Sequence, residues 1–263
     1  AALLTYVGGC TCFELAVKFL DSRNLLASKS YVEKANKYFS SASEFSKASN
    51  KVDFQNFYKA EAHIVQALFL QTVSTYVVRA KKDILSDAIA EAQEACNLFF
   101  AARDPLSVVT AFNNIADSFY AQNDIPSEIS NRKKALSHAL EAFDRYVESQ
   151  SYKDCIDAAK EVENLCIELF DWEISNAKLS LAKENESKSL EVMDKLINIL
   201  ENDGNIKDRD IALLTKDKMA ATFKLLEARN VSESQRLNIC KDAEIILKML
   251  EKKYYDDGQL DNA

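Results

Sequence analysis

The stretch Asp104-Pro105-Leu106-Ser107-Val108-Val109-Thr110-Ala111-Phe112-Asn113-Asn114-Ile115-Ala116-Asp117-Ser118-Phe119-Tyr120-Ala121-Gln122-Asn123-Asp124-Ile125-Pro126 carries a complete helix signature. Val108, Ala111, Phe112, Ile115, Ala116 and Phe119 advance by alternating steps of three and one, which is one face of an α-helix. Asp104 caps the start, with Pro105 at the first helical position, where a missing N–H is tolerated. Asn123-Asp124-Ile125-Pro126 ends the helix before the next begins.

The rest of the chain repeats this grammar with almost no glycine. Its 263 residues include four Gly and two Pro. Hairpins, phosphate loops and strand-to-helix elbows need the backbone angles those residues supply, so their scarcity leaves a stack of antiparallel helices. The apolar stripes predict helices over 2–21, 29–49, 52–81, 84–103, 105–123, 127–150, 152–182, 186–202, 207–229 and 232–255, with 152–182 divisible near Asp171. Connections of two to five residues make sequence neighbours antiparallel hairpins. Gly204, in Asn202-Asp203-Gly204-Asn205, reads as a C-cap and a sub-domain joint. Residues 1–203 are therefore expected to form a helical-hairpin solenoid, and 204–263 a C-terminal helical pair packed on it within the same domain.

Apolar residues make up 48% of the chain, enough for a continuous core. The net charge of −8 argues against unaided binding to nucleic acid and limits membrane contact to a peripheral one. Ala1 to Leu20 is apolar, but Glu14 and Lys18 interrupt it and no basic leader precedes it, so an ordinary core helix is expected. Gly8 and Gly9 would kink that helix or admit a close neighbour. The opening on Ala leaves room for an earlier start and a targeting signal. Cys10 and Cys12 would point about 200° apart on a helix. Cys96, Cys155, Cys166 and Cys240 fall among apolar positions, and no CxxC pair occurs, so reduced thiols in the cytoplasm are expected. The sequons at Asn185 and Asn230 read as chance.

Phe112-x-x-Ile115-Ala116-x-x-Phe119 has the large, large, small, large order of the first helix of a tetratricopeptide repeat. Ala35-x3-Phe39-x2-Ala42 and Ala88-x3-Ala92-x2-Ala95 resemble its second helix, whose small residues permit close crossings. The spacing is degenerate: Ala95 to Ala135 is 40 residues against the 34 of a strict repeat. Two longer stretches resemble the soluble NSF attachment protein family. One is Tyr31-Val-Glu-Lys-Ala35-Asn-Lys-Tyr38-Phe39-Ser-Ser-Ala42-Ser-Glu-Phe45-Ser-Lys47-Ala48. The other runs from Ser86-Asp-Ala88-Ile89 through Leu98-Phe99 to Asn114-Ile115-Ala116-Asp117-Ser-Phe119-Tyr120. The resemblance covers roughly residues 31–150. It implies an all-α right-handed superhelix of about ten helices, and an adaptor that grips helical bundles of membrane-fusion proteins and recruits an ATPase through an acidic, leucine-bearing C-terminus. The tail here is Asp256-Asp257-Gly-Gln-Leu260-Asp261.

Catalytic patterns are sparse. Asn123-Asp124-x-x-Ser127 begins a magnesium motif, but its ninth position is Asn131 and no DDxxD run exists, so a helix-to-helix turn is expected. His63 and His138 do not complete Glu-x-x-His pairs, and neither a GxSxG elbow nor a phosphate loop is present. Trp172 reads as packing at a bend. No enzyme activity, cofactor or metal is expected. The candidate partner-binding residues are two basic clusters. Arg132, Lys133 and Lys134 lie mid-helix; Arg79, Lys81 and Lys82 lie at the end of the 52–81 helix, where the macrodipole favours cations. The sequence thus predicts a protein-binding scaffold whose concave face holds a helix or extended peptide. The alternatives are a helical-bundle enzyme or carrier with buried facing carboxylates, and a regulatory module of a larger protein.

Overall fold

The computed structural model describes residues 1–22, 24–77, 79–229 and 231–256. Among the described residues ten α-helices run in order: α1 (Ala2–Asp21), α2 (Leu25–Ala48), α3 (Val52–Ser74), α4 (Lys81–Ala102), α5 (Pro105–Ala121), α6 (Ile125–Glu148), α7 (Tyr152–Ser175), α8 (Leu179–Asn202), α9 (Ile206–Ala228) and α10 (Glu233–Asp256). There is no strand among the described residues. The chain divides into two compact units, Ala1–His138 and Ala139–Ala263, and the divide falls within α6. Gly204 lies inside the second unit, in the α8–α9 turn.

Six turns share one geometry, which explains how the chain dispenses with glycine. Asn50, Arg103, Asn123, Gln150, Ala177 and Gly204 each adopt a left-handed φ just beyond a helix end. The next residue's N–H then reaches back five residues, as from Lys51 to Ser46 O at 2.9 Å and from Lys178 to Glu173 O at 2.8 Å. This satisfies carbonyls that a helix end leaves open. Five of the six residues carry a Cβ, which costs roughly 1 kcal/mol each in this conformation. The left-handed residues at 123, 150, 177 and 204 recur every 27 residues. One helix plus one turn is therefore the period here, and a hairpin is longer than the 34-residue tetratricopeptide unit.

Helix starts are fixed by side chains. Asp104 accepts from Ser107 N–H and Ser107 Oγ–H, and Asp124 does the same with Ser127. Asp124 is thus occupied in capping α6, as the turn reading of its motif expected. Asn24 accepts from Ala27 N–H and opens α2 four residues before the predicted 29.

Two predicted helices are corrected. The 52–81 helix ends at Ser74, because the hydroxyls of Thr72, Ser74 and Thr75 bond back to carbonyls of the last turns and compete with helix propagation. The 152–182 helix is continuous through Asp171 and breaks at 176–178, where Asn176 Nδ2 donates to Trp172 O and Ala177 turns left-handed. Trp172 consequently packs in the last turn of α7, with Lys178 Nζ 4.3 Å from its ring centre.

In the first unit α1 packs on α2, α2 on α3, α3 on α4 and α4 on α5, and α3 also touches α1 and α5. The Ala-rich motifs supply the seams: Ala35, Phe39, Ala42, Ala88, Ala92 and Ala95 are all fully or nearly fully buried. Gln71 Nε2 ties α3 to α5 through Asn114 O at 2.6 Å and Ser118 Oγ at 2.8 Å. In the second unit α7 packs on α8 and α9, α8 on α9, and α9 on α10. The Phe170 and Phe223 ring centres lie 4.8 Å apart, and Leu165, Leu169, Leu200 and Met219 are also buried in this unit.

The expectation of a core helix at residues 1–20 is also corrected. Only 11% of Ala2–Phe19 is buried, although its length and composition match a membrane span. α1 packs through a narrow strip containing Gly9 and Ala16, while Leu3, Leu4 and Val7 are exposed. Its neighbours are α2 and α3, against which Tyr6, Cys10, Phe13 and Ala16 pack, and its outer side is bare among the described residues.

Candidate functional site

The first unit holds a groove of about 550 Å³ between α2 and α3, bordered by α4. Asn36, Ser40, Ser43, Glu44 and Lys47 of α2 line one side at steps of three, four and one, so they share a helix face. Gln55, Lys59, Ala62, His63 and Gln66 of α3 line the other with the same rhythm, and Glu91 of α4 joins them. The helices are antiparallel. Asn36 Nδ2 donates to Gln66 Oε1 over 3.4 Å, so Lys47 stands at the Gln55 end. Ser43 and Ala62 keep the floor low, because neither can fill the space between the walls.

The walls offer peptide-like chemistry. Three carboxamides, two hydroxyls and five ionisable side chains line a furrow about 16 Å long, eleven residues of helix at about 1.5 Å each. Asn36 Oδ1 is buried and accepts no hydrogen bond within the structure. An acceptor in that state gains when an incoming donor satisfies it. His63 Nδ1 and Glu91 Oε2 lie 2.6 Å apart and are each about one-third exposed, joining α3 to α4 at the rim. Among the described residues no ion pair involves Lys47, Lys59 or Glu44.

The sequence-predicted site residues lie elsewhere. Arg132 is largely buried and committed: its guanidinium donates to Asn113 Oδ1 at 3.2 Å and Asp117 Oδ1 at 2.5 Å, pinning α6 to α5. Lys133 and Lys134 are exposed, the latter with Nζ 5.7 Å from the centre of the Phe112 ring. Arg79, Lys81 and Lys82 are exposed, but they stand at the start of α4 and not at the end of the preceding helix. The macrodipole therefore opposes these cations, reversing the electrostatic reading made from the 52–81 helix. The acidic tail from Asp257 onward lies outside the described residues.

No reading of the sequence singled out the groove. Its signal was present as polar residues at 36, 40, 43, 44 and 47, but on one helix that pattern is the ordinary mark of a solvated face. Only the opposing stripe on α3 makes it a furrow.

Other buried polar groups are structural ties. Glu173 of α7 is 1% exposed and accepts from Asn185 Nδ2 of α8 at 2.7 Å. The Asn185 sequon is thus closed to modification in the folded chain, while Asn230 lies outside the described residues. Burial, and secondarily the carboxylate of Asp104, pushes Glu61 up to about 7. Burial likewise raises Cys96 to about 11 and Cys166 to about 12, so both are held as thiols. All six cysteines are unpaired. Among the described residues no three His, Cys, Asp or Glu side chains are grouped to hold a metal ion.

No protein-family model matches this chain, and no curated protein matches it significantly.

Proposed function

We propose that the protein is a non-catalytic scaffold that binds an extended segment of a partner protein along the α2–α3 groove. The observation that carries this reading is the pair of facing polar stripes, Asn36 to Lys47 and Gln55 to Gln66, with an unsatisfied carboxamide oxygen at one end. Carboxamides present the same donor and acceptor groups as a peptide backbone, so they exchange hydrogen bonds with an extended chain regardless of its sequence. At about 3.3 Å per residue, a furrow of about 16 Å seats about five residues. The groove geometry supports binding over catalysis. His63 and Glu91 make a base and a carboxylate, but no serine hydroxyl is hydrogen-bonded to His63 among the described residues, and mid-helix walls have their N–H groups engaged within the helices, leaving none for an oxyanion.

The right-handed superhelical stacking of the hairpins, the cytoplasmic setting and an adaptor role like that of the soluble NSF attachment proteins, with an ATPase among its partners, belong to this proposal. The cytoplasmic setting rests on the cysteine pattern, and the others rest on the sequence resemblance. Selecting a random peptide library on the full chain tests the groove. Enriched peptides should lose binding to Ser40→Trp, which fills the furrow from an exposed position, and retain it with Leu237→Ser in the other unit. Peptides that bind Ser40→Trp as well as the parent, or a library from which nothing is enriched, would overturn the reading.

A further inference from the structure

The charged groups of the groove are sorted along its length. Glu91 sits beside His63, at the third of the furrow nearer the Asn36–Gln66 end. Lys59 lies one helical turn from His63 along α3, and Lys47 stands opposite Gln55, a further turn away. Glu44 shares the cationic end, so two lysines face one carboxylate there. Neither lysine has an ion-pair partner among the described residues, so both ammonium groups are available to a ligand in the furrow.

We infer that the groove selects an extended peptide carrying a basic residue and, two and four positions away from it, acidic residues, an inference that rests on the peptide-binding reading above. The register follows from matching the two repeats. His63 to Lys59 is about 6 Å along the helix and His63 to Gln55 about 12 Å. At about 3.3 Å per residue an extended chain covers these distances in two and four residues. Side chains two and four apart share one face of an extended chain, and turned toward the floor of the furrow that face meets Glu91 and Lys59 on the α3–α4 side and Lys47 on the α2 side. The basic residue meets the Glu91 carboxylate and the acidic residues meet Lys59 and Lys47. Because the charges are partly exposed, they govern selection more than total affinity.

Three fluorescein-labelled peptides test this by anisotropy: Lys-Ser-Glu-Ser-Glu, Glu-Ser-Glu-Ser-Glu and Gln-Ser-Gln-Ser-Gln. The intact chain should bind the first about five-fold tighter than the other two, with the preference fading as salt shortens the Debye length. Glu91→Lys should reverse the order of the first two, and Lys47→Glu combined with Lys59→Glu should place the uncharged peptide first. Lys47 and Lys59 are exposed and Glu91 is partly so, and circular dichroism of the variants checks that the helices are kept. If all three peptides bind equally, and still compete with Ser40→Trp-sensitive library peptides, the charge register is wrong while the groove stands. If none binds and no library peptide is Ser40→Trp-sensitive, the underlying reading fails first.

Discussion

Gly9 of α1 lies against Phe39 of α2 so closely that a Cβ on Gly9 would stand 2.6 Å from the ring. The ring is 1% exposed and cannot swing aside. Gly9→Ala should therefore cost about 1–3 kcal/mol through overpacking, despite alanine's better helix propensity. One residue earlier, a Cβ on Gly8 would meet the half-exposed Tyr38 ring at 3.3 Å, a contact the tyrosine can relieve. Gly8→Ala should change stability by less than about 0.5 kcal/mol, because the propensity gain offsets the adjustment. Urea denaturation of both variants decides the matter, and equal midpoints would refute the close approach at Gly9.

The left-handed turns predict stabilising substitutions where sequence intuition sees none. Gln150 and Ala177 have φ values of 55° and 58°, which glycine adopts without the Cβ penalty. Gln150→Gly and Ala177→Gly should each raise stability by about 0.5–1 kcal/mol, and Gly204→Ala, at φ 74°, should lower it by a similar amount. Thermal melting compares the three with the parent. A fall in melting temperature for both glycine variants would contradict the turn geometry.

Glu61 makes stability depend on pH in a definite direction. Its carboxyl titrates near 7 when folded and near 4.5 when exposed. Between those values the unfolded chain has released the proton that the folded chain retains. Stability from this group is therefore full below about pH 4.5, declines as pH rises toward 7, and stays low above it. The shift corresponds to about 3 kcal/mol. Glu61→Gln should be more stable than the parent at pH 8 by up to that amount, with the two converging near pH 4.5. Parallel stability curves from pH 4 to 8 would show that Glu61 does not titrate in this range.

The Glu173–Asn185 tie predicts a large effect at a site with no exposed surface. Asn185→Leu removes the amide that donates to a carboxylate buried between α7 and α8. A loss of about 2–3 kcal/mol should follow. Glu173→Met in the same background should recover part of it, because a well-packed apolar pair avoids burying a charge. Additive effects in the double variant would mean that the two side chains do not interact.

The structure shows where local pattern was sufficient and where it was not. Ala35, Phe39 and Ala42, and Ala88, Ala92 and Ala95, were legible as seam residues because their spacing follows the helical period. Asp104 and Asp124 were legible as helix boundaries because capping is a contact across three residues. The end of α3 was missed because the back-bonding hydroxyls of Thr72, Ser74 and Thr75 leave the apolar period intact while weakening the helix. That error carried Arg79, Lys81 and Lys82 to the wrong end of a helix dipole.

Taken alone, the amino-acid order determined an all-helical chain, the apolar stripe of most helices and the short antiparallel connections, since each depends on residues within a turn or two of one another. Tertiary structure decided what those helices make together. It assigned Arg132 to an internal tie, left the outer side of α1 bare, placed Gly9 beneath Phe39, and set the stripe of Asn36 against that of Gln66. A groove exists only between two surfaces, and the relation between them is fixed by which side chains can pack at the crossing, not by the period of either helix.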